Sequence, residues 1–280
     1  MRIFKSLLCF LRAPWVSLWI NRELLYQLCK RDISAKYKAS ALGLAWSVLL
    51  PLTMLAIYAF VFGEIFKSRW GNAPPPQTWS ERLSFALILY AGLMTFNWFA
   101  ECLSKAPVTI LQHVNFVKRV IFPLDILPVI PVVIGGFHFL ISGLVLAGFT
   151  LASPVAVTWH WLLTPLLLLP FVFCLTGMSW LLSAIGVYFR DMEQMMPALT
   201  SALMFLSPVF YSVQVLPEFI RPWLMANPMT LMIETLRDLL FWQQLPAFTV
   251  LLALYGFALL LFYLGYSCFT VLRRGFSDVL

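Results

Sequence analysis

Long apolar stretches broken by short polar punctuation set the pattern of this chain. Leu42–Gly63 carries no Asp, Glu, Lys or Arg across 22 residues, and Ile126–Phe189 carries none across 64. A helix rises about 1.5 Å per residue, so about 20 residues cross a hydrocarbon layer of about 30 Å. The longer run therefore holds two or three crossings. Six helical spans are predicted: Leu42–Phe66, Leu83–Leu103, Leu127–Ala152, Trp161–Tyr188, Met195–Val213 and Phe248–Leu272.

Before the first span the period changes. Val16, Ile20, Leu24 and Leu28 recur at every fourth position beside Trp19 and Leu25, opposite a row of Glu23, Gln27, Lys30, Arg31 and Ser34. This predicts an amphipathic helix over Pro14–Ala35, too charged to cross, lying at the membrane surface with Trp15 and Trp19 at headgroup depth. The apolar stretch Ser6–Leu11 that follows Arg2 and Lys5 is too short for a signal peptide, so the N-terminus is expected to be retained and cytoplasmic. Two outer connections break the pattern. Lys67–Arg82 contains Ala73-Pro74-Pro75-Pro76, a stiff extended loop. Gln214–Ala247 is apolar yet interrupted by Pro217, Pro222, Pro228 and Pro246, and it carries Glu218, Arg221, Glu234, Arg237 and Asp238. Short helices dipping into the outer leaflet suit it, because irregular backbone at depth must be buried or line water. No internal repeat is evident, which speaks against the repeat-built secondary transporters.

Composition places the chain in the membrane class. Apolar residues make up 61% and charged residues 11%, and the mean hydropathy is +0.88. Ordinary globular domains hold roughly 45–50% apolar residues. The net charge of +7 orients the chain. Arg2, Lys5, Arg12, Arg22, Lys30, Arg31, Lys36, Lys38, Lys105, Lys118, Arg119, Arg190, Arg273 and Arg274 fall on one side of a six-span topology; Lys67, Arg69, Arg82, Arg221 and Arg237 fall on the other. Both ends are then cytoplasmic, and the positive charge marks orientation, not nucleic-acid binding.

Catalytic chemistry has little to stand on. The chain lacks G-x-x-x-x-G-K-[S/T], G-x-S-x-G and H-E-x-x-H, so ATP hydrolysis is expected in a separate partner chain and no cofactor in this one. Cys9, Cys29, Cys102, Cys174 and Cys268 are scattered, as are His113, His138 and His160, so neither a disulfide framework nor a metal site is expected. Glu64, Glu101 and Asp125 sit at span ends and read as solvated; without a buried carboxylate relay an ion-coupled carrier has little support. Aromatic residues reach 16%. Tyr58 and Phe62 share a face of span one, and Phe205, Phe210 and Tyr211 lie on the outer half of span five.

A series of short matches adds a resemblance. Arg31-Asp32-Ile33-Ser34-Ala35-Lys36-Tyr37-Lys38 leads through Ser40, Leu42-Gly43 and Trp46 into span one. Phe189-Arg190-Asp191 joins spans four and five. Ser207-Pro208-Val209-Phe210-Tyr211, Leu216-Pro217, Asn227-Pro228, Glu234 and Arg237 follow, and Gly275-Phe276-Ser277-Asp278-Val279-Leu280 closes the chain. In this order the chain resembles the membrane subunits of polysaccharide-exporting ABC transporters, the O-antigen, capsule and teichoic-acid export permease family. The proline-rich loop and Ser277 are modest departures from its pattern.

The resemblance implies an all-α integral membrane domain: a cytoplasmic segment 1–41 with the interface helix, a six-span region 42–272 with short re-entrant helices between spans five and six, and a tail 273–280. It implies a homodimer docked to two copies of a cytoplasmic ATP-binding subunit, exporting lipid-linked polysaccharide, undecaprenyl-diphosphate-linked O-antigen in the first instance, across a bacterial inner membrane. Tyr58, Phe62, Phe205, Phe210 and Tyr211 would line the substrate pathway. Lys30, Arg31, Lys36 and Lys38 would meet the lipid headgroup. Ile110, His113 and Val114, with Phe276 and Asp278 of the tail, would contact the ATPase. Capsule or teichoic-acid export remain alternatives, as does a membrane-embedded glycan-processing enzyme built on Glu234, Arg237 and Asp238.

Overall fold

The computed structural model describes residues 12–38, 40–65, 70, 78–117, 122–225 and 227–280, with the backbone alone at Val117 and Asp278. The stretch Ser6–Leu11, Lys67 and Arg69, the Pro74-Pro75-Pro76 run, and Lys118 and Arg119 lie outside the described residues. Every regular element among the described residues is helical. Helix α1 covers 12–20 and α2 covers Arg22–Lys38. Helix α3, Trp46–Tyr58, continues as a π-helical turn over Ala59–Ile65. Then come α4 (Trp79–Gln112), α5 (Val114–Val117), α6 (Ile130–Leu151), α7 (Thr164–Tyr188), α8 (Met192–Leu206), α9 (Arg221–Met225), α10 (Pro228–Arg237), α11 (Phe248–Leu272) and α12 (Phe276–Val279).

Five helical segments are long and apolar enough to cross a membrane: Gly43–Ile65, Trp79–Gln112, Leu124–Leu151, Trp159–Tyr188 and Phe248–Gly275. They match five of the expected spans. The second is longer than its apolar stretch. Thr78 caps its start by accepting from Glu81 N while Thr78 N donates to the Glu81 carboxylate, each at 3.3 Å. Its far end continues past Leu103, supported by the Lys105–Glu101 pair one turn apart at 2.6 Å.

The remaining expected span, Met195–Val213, is helical only to Leu206. Helix α8 has 15 residues, about 22 Å, and alone falls short of the hydrocarbon layer. Its stop is chemical. Pro208 has no N–H to continue the ladder, and Ser207 before it is extended, at φ −110° and ψ 146°. The N-terminal helix also differs from expectation: two helical stretches meet at Asn21, and the second runs on to Lys38. Leu28 and Cys29 are buried, whereas Trp19 and Ile20 are largely exposed.

Helix α4 is the centre. Ala86, Leu87, Leu89, Ala91 and Cys102 have no exposed surface. Helices α4, α7 and α11 meet backbone to backbone. A Cβ added at Gly265 would stand 2.0 Å from Gly177 O, one at Gly177 would stand 2.4 Å from Leu261 O, and one at Gly186 would stand 2.2 Å from Pro107 O. Small residues permit this close approach inside a membrane. Helix α3 is peripheral: 17% of its apolar window is buried, against 67% for α4.

Two span-end carboxylates expected to be solvated are not. Asp125 is buried, bonded to Arg273 and to Ser17. Glu101 sits between Lys105 and His138, with 16% of its side chain exposed. Glu64 pairs with Arg82. A charge near a helix end in a membrane protein is stabilised by a partner from another element, which the one-dimensional pattern does not display.

Candidate functional site

The end of α3 and the break after α8 come together through aromatic rings. Tyr58 and Phe62, one turn apart, lie 6.3 Å from each other between ring centres. Phe210, just past Pro208, stacks on Phe62 at 5.8 Å and 19° and stands 6.4 Å from Tyr58. Phe205 joins at 6.3 Å from Phe210 and is 67% exposed. Four of the five expected pathway residues thus form one cluster whose rim is open. Tyr211 turns instead to the end of α8, where its hydroxyl donates to Phe205 O at 3.0 Å.

A buried arginine holds this geometry. Arg237 has no exposed surface. Its Nη1 donates to Pro208 O at 2.5 Å and to Glu234 Oε1 at 3.0 Å; its Nη2 donates to Val209 O at 2.6 Å; its Nε donates to Ile88 O at 3.0 Å. The guanidinium also lies 4.4 Å from the Trp70 ring centre. Two carbonyls freed by the break after α8, those of Pro208 and Val209, and the Ile88 carbonyl of α4 are bound by one planar fork, which a lysine could not imitate. Gly92 makes room, since a Cβ there would stand 2.2 Å from Arg237 Nη2. Sequence reasoning counted Arg237 among the outer-side cations and the residues that carry the resemblance, and gave it a chemical role only in the glycan-processing alternative. Fully enclosed, with four of its five N–H groups bonded, it clamps the backbone and offers no open face to a substrate. The signal for this role was the run Ser207-Pro208-Val209, whose freed carbonyls demand a donor.

A second polar cluster joins α2 to α4 and α6. The Tyr37 hydroxyl is 3.1 Å from His138 Nε2, and His138 Nδ1 is 2.7 Å from Glu101 Oε2. Glu101 also accepts from Lys105 at 2.6 Å. Lys36 Nζ is 3.5 Å from His138 Nε2. Burial pulls the Lys36 ammonium below its ordinary range, with the nearby Glu101 charge opposing it, and burial raises the Tyr37 phenol. These groups form the mouth of a cleft of about 280 Å³ between α2, α3, α4 and α6.

All four expected headgroup cations are exposed on α2. Lys30 and Lys38 face outward, and Arg31 bonds Asp32 at 3.0 Å and His113 Nε2 at 3.0 Å. The expected ATPase-contact residues divide. Ile110 has no exposed surface and packs with Ile126, Leu127 and Trp180 in this chain's own core, so its side chain is not offered to a partner. Phe276 is likewise buried, against Tyr188 and Phe269. Both are apolar residues, outside the expected apolar spans, that fold inward. His113 and Val114 are half-buried, and Gln112 and Asn115 are exposed beside them. The Asp278 side chain lies outside the described residues.

Comparison with known proteins places this architecture. Residues 23–241 match the family described as ABC-2 type transporter. The chain is 26% identical over 260 residues to the O-antigen export system permease protein RfbA of Klebsiella pneumoniae, covering 92% of this chain and 95% of that one. A second protein of that name from the same organism is 25% identical over the same length. The O-antigen export system permease protein RfbA of Myxococcus xanthus is 26% identical over 263 residues, covering 93% and 96%.

Proposed function

The chain belongs to the ABC-2 type transporter family, and from that premise we propose that it is the permease subunit of an ATP-driven exporter carrying lipid-linked O-antigen from cytoplasm to periplasm. Family membership makes it a multi-pass membrane protein that works with an ATP-binding subunit. The working assembly in this reading is a homodimer with two ATP-binding subunits in the inner membrane. Helix α8 together with the broken segment 207–213 supplies a sixth crossing, with α9 and α10 re-entering from the outer side and α1–α2 lying at the inner surface. Six crossings put both ends inside, in keeping with the distribution of Lys and Arg.

The observation that carries the reading is the stacking of Phe62 on Phe210. It sets a patch of partly open rings at the junction of the first span and the broken helix. A hydrated polymer has no single pose, and aromatic faces offer weak, repeatable contacts to sugar C–H groups without fixed hydrogen-bond geometry. The glycan-processing alternative loses its central residue, because Arg237 is enclosed. Deletion of the gene tests the proposal. Surface O-antigen should disappear while lipid-linked polymer accumulates in the cytoplasmic leaflet, and re-expression should reverse both. Normal surface O-antigen in the deletion strain overturns the reading; accumulation of a capsular or teichoic polymer instead assigns a different cargo.

A further inference from the structure

Helix α2 is tied to α4 and α6 through two histidines, and the two ties differ in chemistry. At the end of α4, His113 Nδ1 lies 2.9 Å from Thr109 O, and His113 Nε2 lies 3.0 Å from Arg31 Nη2. A carbonyl can only accept, so Nδ1 carries the proton; a guanidinium can only donate, so Nε2 must be bare. This bond exists only with a neutral imidazole. Phe116 stacks on the ring at 5.7 Å and 14° and fixes its plane. At the other tie His138 Nδ1 donates to Glu101 at 2.7 Å, and Nε2 faces the buried Tyr37, whose hydroxyl is 3.1 Å away. Lys36, at 3.5 Å, is the remaining charge beside that ring among the described residues. A hydroxyl can donate or accept, so the Tyr37 bond survives a proton on Nε2.

We propose that the Arg31–His113 bond is a proton-operated latch and the Tyr37–His138 bond its pivot. When His113 takes up a second proton, the Arg31 end of α2 leaves the corner between α4 and α5, while the Tyr37 end stays seated. Imidazole changes charge between about pH 5 and pH 8, and the Arg31 side chain is half exposed, so protons reach the pair. Among the described residues, the charged groups around His113 are Arg31, Asp32 and Lys36 of α2 and Lys105 of α4, the last paired with Glu101. Helix α5 and the α6 residues lining the same groove are uncharged. Three of the four groups are cations that repel a charged ring. The fourth, Asp32, is already engaged by Arg31 Nε and Nη2 at 3.1 and 3.0 Å. A proton on His113 thus takes one partner from Arg31 and leaves it the other. Helix α2 leads through Gly43–Ala45 into α3, the least buried of the five spans, so a tilt about Tyr37 alters how the first span is held. The inference concerns this chain's own helices and is independent of the cargo.

Spin labels at Lys30→Cys and Asn115→Cys, both exposed positions, report the separation of α2 from α5 by pulsed electron spin resonance. The label pair is carried by a chain whose five native cysteines are alanine, in the purified complex with its ATP-binding subunit. The distance should be narrowly distributed at about pH 8 and lengthen at about pH 5.5. His113→Gln offers Arg31 an amide oxygen that does not titrate, and should keep the alkaline distance at both pH values. His113→Lys carries a standing charge and should show the acid distance at both. A label at Lys38→Cys, beside the pivot, should give the same distance to Asn115→Cys throughout. A second measurement keeps the native cysteines: tryptic cleavage after Lys30 and Arg31, scaled to a denatured control at each pH, should rise about threefold or more on acidification in the parent and stay level in His113→Gln. A parent distance and cleavage rate that ignore pH would show Asp32 or packing holding α2, and overturn the latch. A pH response that persists in His113→Gln overturns it as well, and equal movement at positions 30 and 38 overturns the pivot.

Discussion

Arg273 Nη1 lies 2.6 Å from Asp125 Oδ1, across 148 residues of chain. Ser17 donates to the other oxygen of the same carboxylate at 2.6 Å, and Trp180 Nε1 donates to the Asp125 carbonyl at 2.8 Å. One residue thus gathers the N-terminal helix, the end of α11 and the middle of α7. Because Asp125 is buried while the Arg273 side chain is 41% exposed, losing the carboxylate charge should cost about 1–3 kcal/mol, short of a fully buried pair. Asp125→Asn should lower the unfolding temperature in detergent by several degrees. Arg274→Ala, one residue along and exposed, should change it little. Equal melting of Asp125→Asn and the parent would show the junction to be held by packing alone.

Gly92 and Arg237 supply a second test. An alanine at 92 would drive its methyl into the guanidinium, whose bonds to Pro208, Val209 and Ile88 leave it nowhere to retreat. Gly92→Ala should destabilise by about 1–3 kcal/mol, and Arg237→Lys by about 3 kcal/mol or more, because breaking a buried cation's network strands its partners. Monodisperse yield on size exclusion measures both.

Ile110, in the last turn of α4, and Val114, the first residue of α5, differ in exposure, so their charged variants should fail differently. Ile110→Asp buries a carboxylate among Ile126, Leu127 and Trp180 and should abolish folded protein. Val114→Asp, half-buried next to exposed Gln112 and Asn115, should insert and fold normally yet uncouple ATP hydrolysis from export. Normal export by Val114→Asp moves the ATPase contact elsewhere.

The aromatic patch makes a prediction about polymer length. Single alanine substitutions at Tyr58, Phe62 and Phe210 should shorten surface O-antigen on gels, and the triple variant should nearly abolish it, with the ATPase rate of the complex unchanged. Tyr211→Phe, which removes only the bond to Phe205 O, should export normally. Full-length polymer from the triple variant would strip the patch of any part in transport.

Apolar run length made most of this architecture legible. Residues 42–66 were expected for the first span and Gly43–Ile65 is found; 161–188 were expected for the fourth and Trp159–Tyr188 is found. Run length fails where the constraint is not apolarity. Residues 207–213 are as greasy as a span, but Pro208 ends the helix there, and the fate of the freed carbonyls depends on a side chain 29 residues away. The aromatic residues could be grouped by face and depth, which sufficed to bring four of them together. Burial of Ile110 and Phe276 was not legible, because an apolar residue outside the expected spans reads alike whether it meets its own core or a partner. Nor was the Tyr37–His138–Glu101 chain, whose members come from three helices and share no local spacing.

The glycine contacts among α4, α7 and α11 bear on where mechanical work goes. Where two backbones touch with no side chain between them, there is no rotamer to flip and no notch to ratchet into, so those helices are expected to move as one body. Any stroke is then expected at the element with the least purchase on the rest, α3, and at the broken helix that leans on it through Phe62 and Phe210. Cross-links that staple α7 to α11 should leave the pump turning over, whereas a staple between α3 and α4 should stall it with ATP still bound.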